Sequence, residues 1–164
     1  MQRDEQRLRF RDAMASLAAA VNIVTTAGHA GRCGITATAV CSVTDTPPSV
    51  IVCINANSAM NPVFQGNGRL CINVLNHEQE LMARHFAGMT GMAMEERFHQ
   101  PCWQNGPLGQ PVLNGALAGL EGEISEVQTH WHASGVSGSN QKYYSEPGWT
   151  WPDLFQTPFS FGKA

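Results

Sequence analysis

The stretch GITATAVCSVTDTPPSVIVCINANSAMNPVFQGNGRLCINVLN, residues 34–76, decides how the fold is read. Its first part, residues 34–44, is rich in Thr and Val, which fit a pleated, half-buried surface. Asp45-Thr46-Pro47-Pro48 reads as a turn, and the paired prolines stop a strand there. Residues 49–55 (SVIVCIN) form a nearly continuous apolar run, which predicts a strand buried on both faces. A short helix is expected over 59–65, with Pro62 early in it. Gly66-Asn67-Gly68 is a turn, and residues 69–75 (RLCINVL) return to strand.

The flanks agree with a β-rich domain. Residues 4–19 predict an amphipathic helix whose apolar stripe is thin, since Arg11 sits among Leu8, Met14 and Leu17. Residues 20–26 (AVNIVTT) are strand-like, and 28–31 read as a turn. Asn76 can cap a helix over 77–87, with Gln79 placed for a capping box and Gly88 as the stop. A second short helix is expected over 92–98, a loop over 99–111, and short strands over 111–126. Many short strands, few helices and frequent Gly and Pro turns predict a mostly β protein, a closed or partly closed β-barrel with flanking helices.

Composition narrows the function. The chain has 164 residues, 43% of them apolar and 14% charged, with a formal net charge of −3 and no Lys/Arg cluster. That argues against nucleic acid and against an anionic membrane surface as partners. The charged N-terminus does not resemble a signal peptide, and no apolar run is long enough to span a bilayer. Five cysteines with no Cys-x-x-Cys spacing read as small buried residues in a reducing, cytoplasmic setting. His130 and His132 form an H-x-H pair without a third ligand nearby, so no metal site is expected.

No Walker loop, Ser elbow or other short catalytic motif is present, and no catalytic side chain is assigned. What remains is a dense set of small hydroxyl and amide residues beside apolar strands, among them Thr36, Thr38, Ser42, Thr44, Asn55, Asn57, Ser58, Asn61, Asn73 and Asn76. They could be strand-end polar groups on a barrel. They could also serve a flat ligand with carbonyl and amide edges and a phosphate, of which flavin is one.

The 34–76 stretch, the following HEQELMARHFAGMTGMAMEERF (residues 77–98) and the opening residues 1–26 resemble the flavin reductase family with an FMN-binding split barrel. The resemblance runs to about residue 128. It implies a Greek-key split barrel and a homodimer. It implies FMN or FAD held as a dissociable substrate, and NADH passing hydride to the flavin. Reduced flavin would then go to the oxygenase component of a two-component monooxygenase that hydroxylates a phenol, 4-hydroxyphenylacetate.

On the same pattern Thr36, Ala37, Thr38, Ala39, Cys41, Ser42 and Val43 would lie along the flavin ring, with Cys53 and Ile54 at its edge. Asn55, Ser58 and Asn61 would hold the ribityl-phosphate end. Arg84, Phe86 and Ala87 would close the phosphate or adenine side. Hydride transfer depends chiefly on stacking and orientation, which suits a chain with no evident acid–base pair.

After Gln128 the resemblance stops. The family continues with a strand bearing a Gly-x-His element and a second strand reading Gly-Leu-Ile-Tyr-Phe. Here the tail, THWHASGVSGSNQKYYSEPGWTWPDLFQTPFSFGKA, holds three of the four Trp and no apolar alternation, and does not read as barrel strands. The codons for His130-Trp131-His132-Ala133, read one base over, permit Ile-Gly-Thr-His, and further on GHGLIYFKRRFH. A one-base insertion near codon 129 therefore accounts for the break. The organisation expected is a split-barrel domain over 1–128 and an out-of-frame tail over 129–164. Such a tail should pack poorly and weaken flavin binding and NADH oxidation. The competing readings are a non-catalytic flavin-binding split barrel and an inactive frameshifted fragment.

Overall fold

The computed structural model describes residues 2–129 and 140–146. Helix α1 (Gln2–Ala15) leads into strands β1 (Asn22–Gly28), β2 (Gly31–Ala37), β3 (Val40–Asp45) and β4 (Pro48–Asn55). Helix α2 (Asn61–Asn67), strand β5 (Arg69–Val74), a 3-10 turn (His77–Gln79) and helices α3 (Glu80–Phe86) and α4 (Met94–Phe98) follow. The short strands β6 (Trp103–Asn105) and β7 (Pro111–Leu113) come next, then β8 (Ala118–Thr129) and β9 (Asn140–Glu146).

Seven strands make one antiparallel sheet in the order β2-β1-β5-β8-β9-β4-β3, and β6 pairs with β7 in a separate ribbon. The order places β2 and β3, neighbours in sequence, at opposite edges. The sheet nevertheless curls on itself. One core cluster joins Val24 and Cys33 from the β1–β2 side, Leu70 and Ile72 from β5, and Val52 and Ile54 from β4. Burial of these side chains against each other is what draws the two ends of the sheet together. Among the described residues no ladder joins β2 to β3, so the barrel is partly closed, a split barrel, and not the fully closed alternative.

A second cluster, Ile23, Met82, Phe86, Phe98 and Leu113, fastens α3 and α4 to the outside of β1. Phe86, Phe98 and Trp103 form an aromatic triangle with ring centroids 5.1–5.4 Å apart, in tilted and edge-on contacts. The indole N–H of Trp103 donates to Arg97 O at 2.9 Å, which ties α4 to the β6–β7 ribbon.

Several local expectations hold. Asn76 Oδ1 accepts from Glu78 N, Gln79 Oε1 accepts from Asn76 N, and Gly88 stops the helix at a φ of +74°. Asn73, wholly buried, accepts from Leu113 N at 2.8 Å and donates to Ile23 O at 3.1 Å, so it satisfies backbone between three strands.

Other expectations give way. The loop expected over 99–111 contains β6 and the start of β7, held by Asn105 pairing with Pro111. Pro48 does not bar a strand: it opens β4, paired with Asp45, at a strand end where its missing N–H costs no interior ladder bond. Strand β4 is not buried on both faces. Val52 and Ile54 point into the core while Cys53 is half-buried, because the other face borders a cavity. The tail, read as supplying no strand, supplies β9. It runs beside β4 from Val50↔Ser145 to Asn55↔Asn140 and beside β8 from Glu123↔Glu146 to Thr129↔Gln141. Two neighbouring strands with unpaired N–H and C=O groups recruit a segment that local alternation alone does not mark as a strand. His130 and His132 lie outside the described residues.

Candidate active site

The gap where the barrel fails to close holds a cavity of about 610 Å³. One wall is β2, through Gly34, Ile35, Thr36 and Ala37, continued by the corner residues Thr38 and Ala39. The facing wall is the end of β4, through Cys53, Ile54 and Asn55, continued by Ser58 and Met60. Phe86, Ala87 and Gly88 at the end of α3, with Met94 and Arg97 of α4, close the third side.

Each wall is fixed by its own hydrogen bonds. Thr36 Oγ1 donates to Ala83 O at 2.6 Å and so pins α3 to β2. Its proton is committed, which leaves the oxygen to act as an acceptor. The chain between β4 and α2 folds on itself. Asn55 Oδ1 accepts from Asn57 N at 2.9 Å, Ser58 N donates to Asn55 O at 2.9 Å, and Ser58 Oγ accepts from Met60 N at 3.3 Å. At the β2–β3 corner Cys53 N donates to Ala39 O at 2.9 Å, but the return bond is missing. Among the described residues the backbone N–H groups of Thr38 and Ala39 donate to nothing. Two adjacent unpaired donors on a cavity wall are uncommon and suit a carbonyl or anionic edge.

Close approach of Phe86 to β2 depends on Gly34. A Cβ at that position would meet ring atoms of Phe86 at 2.7 and 2.8 Å and Thr25 Cγ2 at 3.2 Å. The wall carries no imidazole and no carboxylate among the described residues, and Arg97 is its one charged side chain.

Of the residues singled out from sequence, the cavity gathers Thr36, Ala37, Thr38, Ala39, Cys53, Ile54, Asn55, Ser58, Phe86 and Ala87. It leaves out Cys41, Ser42 and Val43. The chain turns at Thr38–Ala39, and β3 then runs along the outer half of β4 with these three exposed. Asn61 is buried behind the wall, where its Nδ2 donates to Asn55 O at 3.3 Å, so it braces the loop. Arg84 is on the outer face of α3, bonded to Glu80 Oε1 at 2.7 Å. Gly34, Ile35, Met60, Gly88, Met94 and Arg97 were not anticipated. The one available signal for Arg97 was its place in the helix expected over 92–98, beside Phe98.

Residues 14–136 match the flavin reductase like domain family, and the chain belongs to it. The match extends a little beyond Gln128. The reductase component of 4-hydroxyphenylacetate 3-monooxygenase from Salmonella typhimurium is 98% identical over 129 residues, which span 79% of this chain and 76% of that protein. Among solved structures, a Haemophilus somnus protein described as a candidate flavin reductase superposes with a TM-score of 0.74 at 40% identity, over 84% of this chain and 83% of that one. The NADH:FAD oxidoreductase SgcE6 of Streptomyces globisporus superposes with a TM-score of 0.72 at 26% identity, over 87% and 80%.

Proposed function

We propose that this chain reduces a dissociable flavin, FMN or FAD, with NADH in the cavity between β2 and β4, and releases the product to the oxygenase of a 4-hydroxyphenylacetate 3-monooxygenase. The observation that carries this reading is the shape and lining of the cavity. It is an open gap with largely apolar walls and, among the described residues, two unpaired backbone donors at one corner and no acid–base side chain. A flavin fits such a lining because its carbonyl edge needs N–H donors and its ring needs apolar faces. The bound flavin would supply the hydride-accepting ring. The protein's residues do the rest: Thr38 and Ala39 N–H hold the carbonyl edge, Phe86 confines the ring, and Asn55 and Ser58 face the polar tail. Orientation, not proton transfer by a side chain, is the protein's contribution.

The names of relatives support the partner chemistry, since one is the reductase component of the oxygenase system and another is an NADH:FAD oxidoreductase. A second copy is a natural cover for the apolar side chains that stay exposed, Leu8, Phe10, Met14 and Leu17 near α1 and Val43 on β3. All five cysteines are free, consistent with a reducing cytoplasm. No helix among the described residues is long and apolar enough to cross a membrane. We propose, too, that a one-base insertion near codon 129 accounts for the change in the tail. It is supported by near-identity to the Salmonella protein over 129 residues, and the nucleotide sequence across codons 125–135 tests it.

The decisive experiment is NADH oxidation by purified protein with and without added FMN. Turnover that depends on FMN, with FMN fluorescence quenched on mixing, is the expected result. Quenching without turnover would favour a non-catalytic flavin binder. Absence of both would sink the assignment for this chain.

A further inference from the structure

We infer that Arg97 is the anion anchor of the cavity, taking a phosphate oxyanion of the nucleotide bound there. The inference rests on the flavin reading above and adds to it the residue that recognises the charged end. Four arginines among the described residues hold a carboxylate: Arg9 with Glu5, Arg32 with Glu95, Arg69 with Glu123 and Arg84 with Glu80. Arg97 does not, although among the described residues it is the one cation on the cavity wall.

Its guanidinium is nevertheless held in place. Nε and Nη2 donate to Met92 O at 3.0 and 2.8 Å. The guanidinium carbon lies 5.7 Å from the centroid of Phe86, which shares the wall. A guanidinium presents five N–H groups, so two bonds to one carbonyl leave donors with no protein partner among the described residues. A planar, pre-oriented cation with spare donors and no carboxylate beside it matches a phosphate better than any neutral group. Arg84, the basic residue marked from sequence, is already neutralised by Glu80 outside the cavity.

The phosphate has two possible sources, the flavin's own 5′-phosphate or the diphosphate of the nicotinamide nucleotide. Riboflavin, which has the ring and ribityl chain without the phosphate, separates them. The measurements are dissociation constants for FMN and riboflavin by fluorescence titration, and KM for NADH with riboflavin as acceptor. They are made on the wild type, Arg97→Met and Arg97→Lys.

If Arg97 holds the flavin phosphate, wild type prefers FMN to riboflavin by about tenfold or more. Arg97→Met then loses that preference with riboflavin affinity unchanged, and Arg97→Lys regains part of it. If it holds the nicotinamide nucleotide, FMN affinity stays and the NADH KM rises about tenfold in Arg97→Met. Either result supports the inference. Equal weakening of FMN and riboflavin would assign Arg97 a merely structural role and overturn it, as would unchanged constants throughout. Wild-type protein that binds both flavins equally, with the NADH KM untouched by Arg97→Met, would overturn the inference alone. Wild-type protein that binds neither would remove the flavin reading as well.

Discussion

Asn73 shows how much of this fold hangs on single buried polar groups. Its amide donates to Ile23 O and lies within 3.4 Å of Pro111 O, and its carbonyl accepts from Leu113 N. Asn73→Ala strands at least one buried backbone donor, so unfolding free energy should fall by about 2–3 kcal/mol in a urea titration, with no change in which ligands bind. The cysteines give a pH signature. Burial pushes the Cys33 thiol up from 9.0 to about 12. Burial, and then the nearby Glu121 charge, push Cys71 up further. A thiol whose pKa is raised on folding contributes stability that is whole below its unfolded value and is lost as pH climbs toward its folded one. The urea midpoint should therefore decline from pH 9 toward pH 12. At pH 8, iodoacetamide should label exposed Cys41 while Cys33 and Cys71 stay unmodified by mass spectrometry, about pH 8 being below both raised values.

At the level of elements, the relation of α3 to β2 sets the width of the cavity. Gly34→Ala places a methyl where Phe86 now sits, and the ring must move. The expected result is weaker FMN binding, by about tenfold, with a modest loss of about 1–2 kcal/mol in stability. Unaltered FMN titration would show that the Phe86 wall is not part of the binding surface. The same elements show what the sequence made legible. Helix starts and stops were readable because caps are local: Asn76, Gln79 and Gly88 announce themselves within four residues. The break at Thr38–Ala39 was not readable. The run over 34–44 is uniformly β-prone, and the ladder ends there only because β3 has β4 to pair with. The family resemblance puts Cys41, Ser42 and Val43 alongside Thr36, and nothing local in the run marks the turn that separates them. Arg84 and Arg97 are alike in local sequence, each on a short helix near an aromatic. The packing of Phe86, Phe98 and Trp103, all distant in sequence or contributed by different elements, decides which one faces inward.

For the whole molecule, the sheet is continuous only through β9. That strand separates β8 from β4, and β4 carries one wall of the cavity. Tyr143 sits mid-strand, opposite Val52 on one side and Val127 on the other. Tyr143→Pro removes a ladder donor in an interior strand and should cost about 3 kcal/mol or more, read as a lower melting temperature together with loss of FMN binding. A variant that melts and binds like wild type would mean the cavity stands without this strand. Fold class was legible from the alternation of strand-like runs and turns. Closure was not, because the strand that bridges the sheet, NQKYYSE, carries no alternating apolar pattern of its own.

The lining of the gap has a consequence for how turnover should respond to acidity. Among the described residues its lining holds no histidine and no carboxylate, the side chains that ordinarily exchange protons between about pH 6 and pH 7.5. Initial rates across that window should trace a plateau. A bell-shaped curve there would point to an ionisation on the reactants, or on a residue beyond this wall.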